Sequence, residues 1–523
     1  MSHTAPYPTL VAVALLCGIA FSAGCPSSDP VKGDFAGEDA NDGTRDTNRL
    51  ADASEQDAGA NDTASTDSAA ANDSSTTADV SSGDASATDA GVPFIKPCGG
   101  AKDGIWTVTF GSADKDTAEA IIPTSDGGFA IAATVDIYGG ADTMTLLRIN
   151  KYGNKIWQRS YGGGASTEGR DALGMDDGGF VIGGCIAEKD SGYRDMYIVR
   201  ADKDGKVGAK GTWTVTEGNA KNSDCVYALT AGHKSAIVAA GFTKGTNTSG
   251  IDGRLQALTP DGKPLWERTV SGGSNSEYLR DVVADKTGYV AAGESYASGK
   301  GMWAVALDHK GKPRWNKHYG KTGSDRANAI ALRDDGGTLI AGKATIYACL
   351  WAVALDETGA EQWHHELCDK QSEEAFAIAM LHDGGFALIG KSSTNGSDAL
   401  LLRLNRYGSR LFTRKFVDEH KGTTARGYDI VQLPDHGFLI AGEVYGQPDK
   451  KGGADMLIMR TDRWGHASCK YGAKCANMLP TACDDGSACT VGLCDNVDGC
   501  IHKGLPDNAM CGAGKTCLKG ACK

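Results

Sequence analysis

The chain has 523 residues, which leaves room for more than one domain, and it is rich in glycine (71) and poor in proline (14). This composition is typical of short strands joined by glycine turns rather than of helices or collagen. The formal net charge is −13, and nearly all of it lies in residues 26–93, where fifteen Asp and Glu accompany three Lys and Arg. The remainder is close to neutral and has no basic excess, so nucleic acid is excluded as an expected partner.

Residues 1–24 are predicted to be a lipoprotein signal peptide. The apolar run 9–21 is too short to span a bilayer and has the length of a signal-peptide core. Ser22-Ala23-Gly24-Cys25 follows and resembles the lipobox of bacterial lipoproteins, whose cysteine is lipidated and becomes the N-terminus. The resemblance implies a lipid anchor on Cys25 and a place at the outer membrane or cell surface. Cleavage near Ala23 by an ordinary signal peptidase would instead make the protein secreted.

Residues 25–95 are predicted to form a disordered acidic linker. The segment is rich in Asp, Ala, Ser, Thr and Gly, and its few large apolar residues are isolated. It cannot bury enough surface to offset its chain entropy. As a flexible coil of about 65 residues it has a mean reach of roughly 45 Å, so it would hold a lipid-anchored head clear of a membrane.

Residues 96–468 contain a pattern that returns seven times. Each copy has a turn such as Asp126-Gly127-Gly128-Phe129, and these turns end at residues 129, 180, 237, 289, 338, 386 and 438. A second turn, Asx-x-x-Gly, joins an apolar third strand to a fourth strand. A sustained period near fifty residues indicates a propeller, solenoid or array, and a third strand that is apolar on both faces indicates burial on both sides. We therefore predict an all-β, seven-bladed β-propeller of four-stranded blades.

The units resemble propeller repeats of bacterial and archaeal surface and secreted proteins, which have D-G-G-F-x-I-x-G followed by D-x-x-L-x-R-x-D-x-x-G-x-x-x-W. The resemblance implies a propeller fold and no particular reaction. Six tryptophans recur in the fourth strand: Trp106, Trp157, Trp213, Trp266, Trp315 and Trp363. Such a series can be a carbohydrate-stacking ladder, but its regular recurrence favours packing between blades.

The two ends of the repeat region are predicted to close the ring. The last unit ends after its third strand, residues 456–461, without a tryptophan strand. A lone tryptophan strand, residues 105–110, precedes the first full unit. We therefore expect residues 105–110 to be the outer strand of the seventh blade.

The sixteen cysteines indicate an oxidising compartment. Cys349 and Cys368 are symmetric about the turn 356–359, so they should face each other across the hairpin and form a disulfide. By elimination Cys185 and Cys225, on adjoining blades, would then be partners. Ring closure would bring Cys98 near Cys469, which predicts a third disulfide.

Residues 469–523 are predicted to be a separate cysteine-rich module, because they have few apolar residues and need disulfides to fold. The run Cys483-Asp484-Asp485-Gly486 through Cys500 resembles the short cysteine-rich repeat of slime-mould extracellular proteins, also found in secreted proteins of myxobacteria. No metal is expected, since paired CxxC motifs are missing and exported thiols are oxidised. Its aspartates (Asp484, Asp485, Asp495, Asp498) match no EF-hand spacing, which favours turn formation over calcium binding.

Candidate site residues lie where the chain enters the innermost strand of four blades: Arg170, Arg280, Arg326 and Arg426. Acidic residues accompany them: Asp171, Asp281, Asp325, Asp429, Glu373 and Glu374. Converging arginines can bind a carboxylate or a sulfated glycan. The alternative, which the adjacent acids favour, is a set of ion pairs that tie neighbouring blades together.

These features predict a non-enzymatic cell-envelope lipoprotein whose propeller head binds a protein or glycan. No cofactor is expected, and the lipid anchor is the one expected contact with a membrane. No Gly-x-Ser-x-Gly, His-Glu-x-x-His or phosphate-binding loop occurs in the sequence. The alternative is an enzyme that uses the propeller channel, either a quinone-dependent dehydrogenase or a polysaccharide lyase or hydrolase.

Overall fold

The computed structural model describes residues 104–467 and 487–523, apart from short segments at 113, 137–140, 164, 188–192, 219–221, 245–249, 274–275, 297–298, 300, 346–347, 369–371, 394–396, 417–423, 447–452, 488, 496–498, 506–509 and 513–514. The region from 104 to 467 forms seven four-stranded antiparallel sheets. The predicted all-β fold, a seven-bladed propeller, is confirmed. No helix in the described ranges has the length and apolar character needed to cross a membrane.

Blades 1 to 4 contain the following strands: β2 (Asp116–Pro123), β3 (Phe129–Val135), β4 (Thr143–Ile149) and β5 (Lys155–Tyr161) in blade 1; β6 (Thr167–Gly174), β7 (Phe180–Ala187), β8 (Arg194–Ala201) and β9 (Trp213–Glu217) in blade 2; β10 (Asp224–Ala231), β11 (Ile237–Lys244), β12 (Ile251–Leu258) and β13 (Pro264–Val270) in blade 3; β14 (Glu277–Ala284), β15 (Gly288–Ser295), β16 (Met302–Asp308) and β17 (Pro313–Tyr319) in blade 4. A short 3₁₀ turn, His233–Ser235, precedes β11.

Blades 5 to 7 contain the following strands: β18 (Arg326–Leu332), β19 (Thr338–Ala344), β20 (Cys349–Leu355) and β21 (Glu361–Leu367) in blade 5; β22 (Ser372–Met380), β23 (Phe386–Ser393), β24 (Asp398–Leu404) and β25 (Arg410–Phe416) in blade 6; β26 (Thr424–Gln432), β27 (Phe438–Tyr445), β28 (Ala454–Arg460) and β1 (Trp106–Phe110) in blade 7. In every blade the first strand of this order is the innermost one.

The Asp-Gly-Gly turn between the first and second strands is held by its own side chain. In blade 1, Asp126 accepts a hydrogen bond from the amide of Gly128 at 3.1 Å, and Gly127 has a φ of +81°. Arg148, on the third strand, donates to Asp126 and to the carbonyl of Phe129. The arginine of the repeat therefore fastens the turn of its own blade, which explains why both residues belong to the repeat.

The fourth-strand tryptophans lie between blades. Trp315 of blade 4 donates from Nε1 to the carbonyl of Glu357 in the next blade's Asx-x-x-Gly turn, at 3.1 Å. The turn glycine, Gly359, lies directly against the indole, because a Cβ atom placed on it would be 2.9 Å from the ring. Trp266 repeats the bond to the carbonyl of His309 at 3.0 Å. The tryptophans therefore form inter-blade packing, as their regular recurrence favoured.

The hydrophobic core is divided into layers shared by adjacent blades. One layer contains Ile121 and Phe129 of blade 1 together with Leu439 and Met456 of blade 7. Corresponding layers join each further pair of neighbours around the ring. A blade thus has no core of its own, and it becomes stable by stacking on its neighbours.

The ring is closed by the strand from the beginning of the repeat region. β1 pairs antiparallel with β28, from Trp106 opposite Arg460 to Phe110 opposite Met456. Trp106 is 2% exposed and packs against Gly153 of blade 1 as the other tryptophans pack on their neighbours. The predicted placement of residues 105–110 in the seventh blade is confirmed.

The described part of the C-terminal module is a small β structure with two disulfides. Its strands are β29 (Thr490–Asp495), β30 (Gly499–Gly504), β31 (Met510–Gly512), β32 (Lys515–Leu518) and β33 (Ala521–Cys522). Disulfides join Cys489 to Cys517 and Cys511 to Cys522. Leu411, on the outer strand of blade 6, packs against the small core around these cysteines.

Candidate functional site at the mouth of the central channel

Every innermost strand has a β-bulge at the same place. The pairing register with the second strand shifts by one residue in each blade, which leaves one residue unpaired. We name the seven unpaired residues the channel ring: Glu119, Arg170, Tyr227, Arg280, Asn328, Phe376 and Tyr428. The residue before each of them is buried between blades, whereas the ring residues are partly exposed. A bulge turns its extra side chain away from the ladder, and here it turns toward the channel that the inner strands enclose.

Ring residues of successive blades contact one another, which shows that they surround a common axis. The guanidinium of Arg170, in blade 2, lies 5.7 Å from the ring centre of Tyr227 in blade 3. The guanidinium of Arg280, in blade 4, lies 5.0 Å from the same ring centre. Phe376 and Tyr428 are 5.4 Å apart between ring centres. Glu119 interacts electrostatically with Arg170 on one side and Tyr428 on the other.

The four predicted arginines lie inside the innermost strands rather than on the loops before them, and at two levels. Arg170 and Arg280 belong to the channel ring. Arg326 and Arg426 lie two residues before the ring position of their strands. The structure therefore brings the arginines to one end of the channel without making them equivalent.

Each of these arginines forms an ion pair with a glutamate, whereas the aspartates near them in sequence accept hydrogen bonds from backbone amides. Arg170 contacts Glu168 at 2.5 Å and Arg280 contacts Glu294 at 2.5 Å, each within its own blade. Arg426 likewise contacts Glu443 of its own blade, at 3.1 Å. Arg326 contacts Glu374 of the following blade at 2.7 Å. Among these contacts, the inter-blade ion pair expected from the sequence is formed by Arg326.

Charge balance keeps two of these glutamates ionised. Burial raises the pKa of Glu374, but Arg326 and Lys391 outweigh burial and hold the pKa below its usual value. Burial also acts on Glu168, where Arg170 and Arg194 again lower the pKa overall. Each carboxylate is thus flanked by two cations, which is an arrangement that a buried charge requires.

Three aspartates one residue after the ring tie blades together. Asp171 accepts a hydrogen bond from the amide of Leu229 in the next blade at 2.6 Å. Asp281 and Asp429 do the same at 2.8 Å, with the amides of Ile330 and Ile121. The other carboxylate oxygen of each aspartate accepts from the amide of the following residue, which is the backbone group next to the bulge. These acids are therefore structural acceptors of backbone hydrogen bonds between blades.

Burial raises the pKa of these aspartates. It raises the pKa of Asp281 to about 7 and that of Asp429 to about 6, in each case against the two amide hydrogen bonds. The pKa of Asp171 is raised well above its usual value by burial, with repulsion from Asp281 and Asp429 adding to the effect. The three carboxylates thus share one electrostatic environment inside the channel.

Asp325, Glu373 and Glu374, the other acids named from the sequence, lie near the same end of their blades. Asp325 accepts hydrogen bonds from the amides of Lys321 and Thr322 and from Thr345. Glu373 lies 3.8 Å from Lys415, within its own blade. Asp325 and Glu373 therefore have structural partners within the propeller, whereas Glu374 pairs with Arg326 of the preceding blade.

Sequence reasoning missed the channel ring as a set. Each ring residue lies nine or ten positions before the residue that ends the Asp-Gly-Gly turn, so counting back from the turn finds all seven. The predicted site was restricted to one residue type, arginine, whereas the ring has five residue types. The signal in the sequence is the fixed distance of each ring residue from the turn, because the ring residues share no common side-chain chemistry.

The predicted disulfide cysteines fall into two groups. The structure joins Cys349 to Cys368 within blade 5, with Cα atoms 4.7 Å apart, and Cys185 to Cys225 between blades 2 and 3, with Cα atoms 4.9 Å apart. Cys25, Cys98 and Cys469 lie outside the described residues.

One cluster within the described residues has the composition of a metal site. The sulfur atoms of Cys489, Cys511 and Cys522 lie within 4.8 Å of one another in the C-terminal module. All three atoms belong to the two disulfides found in the described part of the module. Because a metal ligand must be a free thiolate, these sulfurs stabilise the fold and do not hold an ion.

The chain is thus a seven-bladed β-propeller with a mixed cationic and aromatic ring in its channel. No protein-family model and no curated protein matches the sequence. Among solved structures, it is similar to the Pan2 WD40 domain of Neurospora crassa, with 11% identity, a TM-score of 0.42, and 66% of this chain and 89% of that chain covered. It is also similar to Sqt1 of Chaetomium thermophilum bound to the N-terminus of ribosomal protein L10, with 10% identity, a TM-score of 0.40 and coverage of 68% and 98%. Similarity at this level concerns the fold and carries no ligand or reaction to this chain.

Proposed function

We propose that this protein is a cell-envelope lipoprotein whose propeller head binds a partner and catalyses no reaction. The observation that carries the proposal is the channel ring. It places two arginines and three aromatic side chains, all partly exposed, around one opening. Arginine and aromatic residues are enriched where proteins bind, and a propeller presents them on a rigid frame.

The lipobox-like Cys25 and the acidic linker support a place at the outer membrane or cell surface. A flexible segment of this composition would let the head reach a partner beyond the membrane surface. The test is to express the full chain in a bacterial host with radiolabelled palmitate. We expect label in the wild type and none in Cys25→Ala, which should move to the soluble fraction. Equal labelling of the two proteins would contradict lipidation at Cys25.

A second candidate is an enzyme that acts within the channel, such as a polysaccharide lyase or hydrolase. The observation that favours it is the pKa of Asp281, raised to about 7 by burial, which is suited to a general acid or base. Both oxygens of Asp281 already accept backbone amides, which favours a structural role. Chain shortening of a bound polysaccharide by the wild type, lost in Asp281→Asn, would establish the enzyme instead.

A further inference from the structure

We propose that the channel ring, together with the neighbouring Tyr278 and Phe242, binds a carboxylate-bearing sugar residue of an acidic polysaccharide. This inference rests on the proposed binding function and gives it a ligand class. Three features of the channel mouth carry it: an aromatic wall, glutamates that each have two cationic neighbours, and arginine donors without an acceptor.

The aromatic wall spans blades 3 and 4. Phe242 lies 5.4 Å from Tyr227 and 5.2 Å from Tyr278 between ring centres. The guanidinium of Arg280 lies over both tyrosines, at 5.0 and 5.4 Å. All of these side chains are partly exposed. The wall therefore offers flat apolar faces and a planar cation side by side.

Several cations at the channel mouth are grouped around three glutamates, although the whole chain has a net charge of −13. Three glutamates each have two cationic neighbours, which are Arg170 and Arg194 for Glu168, Arg326 and Lys391 for Glu374, and Arg426 and Lys115 for Glu443. Glu119 is the acid of the ring itself, and burial raises its pKa. A ligand carboxylate at the ring would share these cations with the glutamates.

Among the described residues, two of the arginines are not saturated by hydrogen bonds. The Nε–H groups of Arg170 and Arg426 are buried and have no hydrogen-bond acceptor among the described residues. Arginine presents its donors in a planar fork that matches a carboxylate.

A uronic acid unit combines the two groups that this site can recognise. Its pyranose ring has a C–H face that packs on aromatic rings, and its carboxylate pairs with a guanidinium. A peptide C-terminus supplies the carboxylate without the flat apolar face. The observations therefore favour the acidic sugar.

The test is calorimetric titration of the full, disulfide-bonded protein with galacturonic acid oligosaccharides. We expect binding that weakens with added salt, and little binding of the same oligosaccharides as methyl esters, because esterification removes the charge and keeps the ring. Tyr227→Leu leaves every ion pair in place and should weaken binding about tenfold, which corresponds to about 1.4 kcal/mol. Arg280→Gln should weaken it at least as much. Lys312→Gln, on a turn at the opposite end of blade 4, is the matched control and should bind as the wild type does.

Several outcomes would overturn the inference. They are equal affinity for acid and ester, unchanged affinity in Tyr227→Leu, or binding of a peptide with a free C-terminus in place of the saccharide. Because Arg280→Gln leaves Glu294 without its partner, its melting temperature is measured as well, and Tyr227→Leu decides if that variant does not fold. Binding of another partner by the lipidated protein would leave the proposed function standing while this inference fails.

Discussion

At the scale of single residues, the contact between a tryptophan and the neighbouring turn glycine is the repeated device of this fold. Trp315 occupies the space where a side chain on Gly359 would lie, and its N–H bonds the turn carbonyl two residues earlier. The glycine is thus required twice, for its positive φ of +75° and for the close approach of the indole. The two requirements can be separated by mutation.

The first prediction separates them within blade 5. Gly336 and Gly359 both have positive φ, but a Cβ on Gly336 meets nothing within 4 Å. Gly336→Ala should therefore lose about 1 kcal/mol of unfolding free energy through backbone strain alone. Gly359→Ala should lose about 2 kcal/mol more, because it also displaces Trp315. Urea denaturation measures both, and equal losses would contradict the role given to the tryptophan.

The second prediction concerns Asp281. Its pKa is raised from 3.8 to about 7 in the folded protein, so the folded state holds a proton that the unfolded state has released between these values. Stability should therefore fall as pH rises from about 4 to about 7, and Asp171 and Asp429 act in the same direction. In Asp281→Asn the decline should be smaller. Denaturation at a series of pH values tests this, with Asp204→Asn on an exposed turn as the control that should keep the full decline.

At the scale of elements, the turn between the third and fourth strands determines which residues of the two strands face each other. In blade 5 the pairing places Leu350 opposite Leu367, which sets Cys349 opposite Cys368 one step further from the turn. The Asx-x-x-Gly turn fixes this register, so the facing cysteines followed from the sequence. The inter-blade Cys185–Cys225 disulfide depended on how two blades stack.

The third prediction is that the Cys349–Cys368 disulfide stabilises the propeller. Chain-entropy arguments for a loop of this length predict a loss of about 3 kcal/mol in the double variant Cys349→Ser/Cys368→Ser. Its melting temperature should fall, and a reducing agent should lower that of the wild type but change the variant less. Peptide mapping without reduction should recover the Cys349–Cys368 pair; recovery of a Cys185–Cys349 peptide would contradict the blade assignment.

At the scale of the whole molecule, ring closure decides stability because each core layer belongs to two blades. β1 supplies the fourth strand of blade 7 and places Trp106 against blade 1, so it completes one blade and one interface together. The chain that precedes and follows this junction contains Cys98 and Cys469, which are close in sequence to the paired strands β1 and β28.

The fourth prediction concerns this junction. Deletion of residues 98–111 removes β1 and should cost more than about 3 kcal/mol, the usual cost of removing one buried tryptophan. The control deletion of residues 99–103 leaves both β1 and Cys98 and should cost much less. Cys98→Ser should lower the melting temperature if the Cys98–Cys469 disulfide forms, and mapping that finds Cys98 joined elsewhere would refute the pair.

The sequence by itself determined the propeller, the number of blades and the closing strand. Turns, strand alternation and the recurring tryptophan are local patterns, and the number of times that they recur is the number of blades. The tertiary structure alone decided the site. The glutamate partner of Arg326 lies 48 residues away, and the amide bound by Asp429 lies 308 residues away, across the closure of the ring. No local pattern encodes such a pair, because the neighbours exist only after the blades have closed around the axis. The bulges then turn seven side chains of five residue types toward one channel.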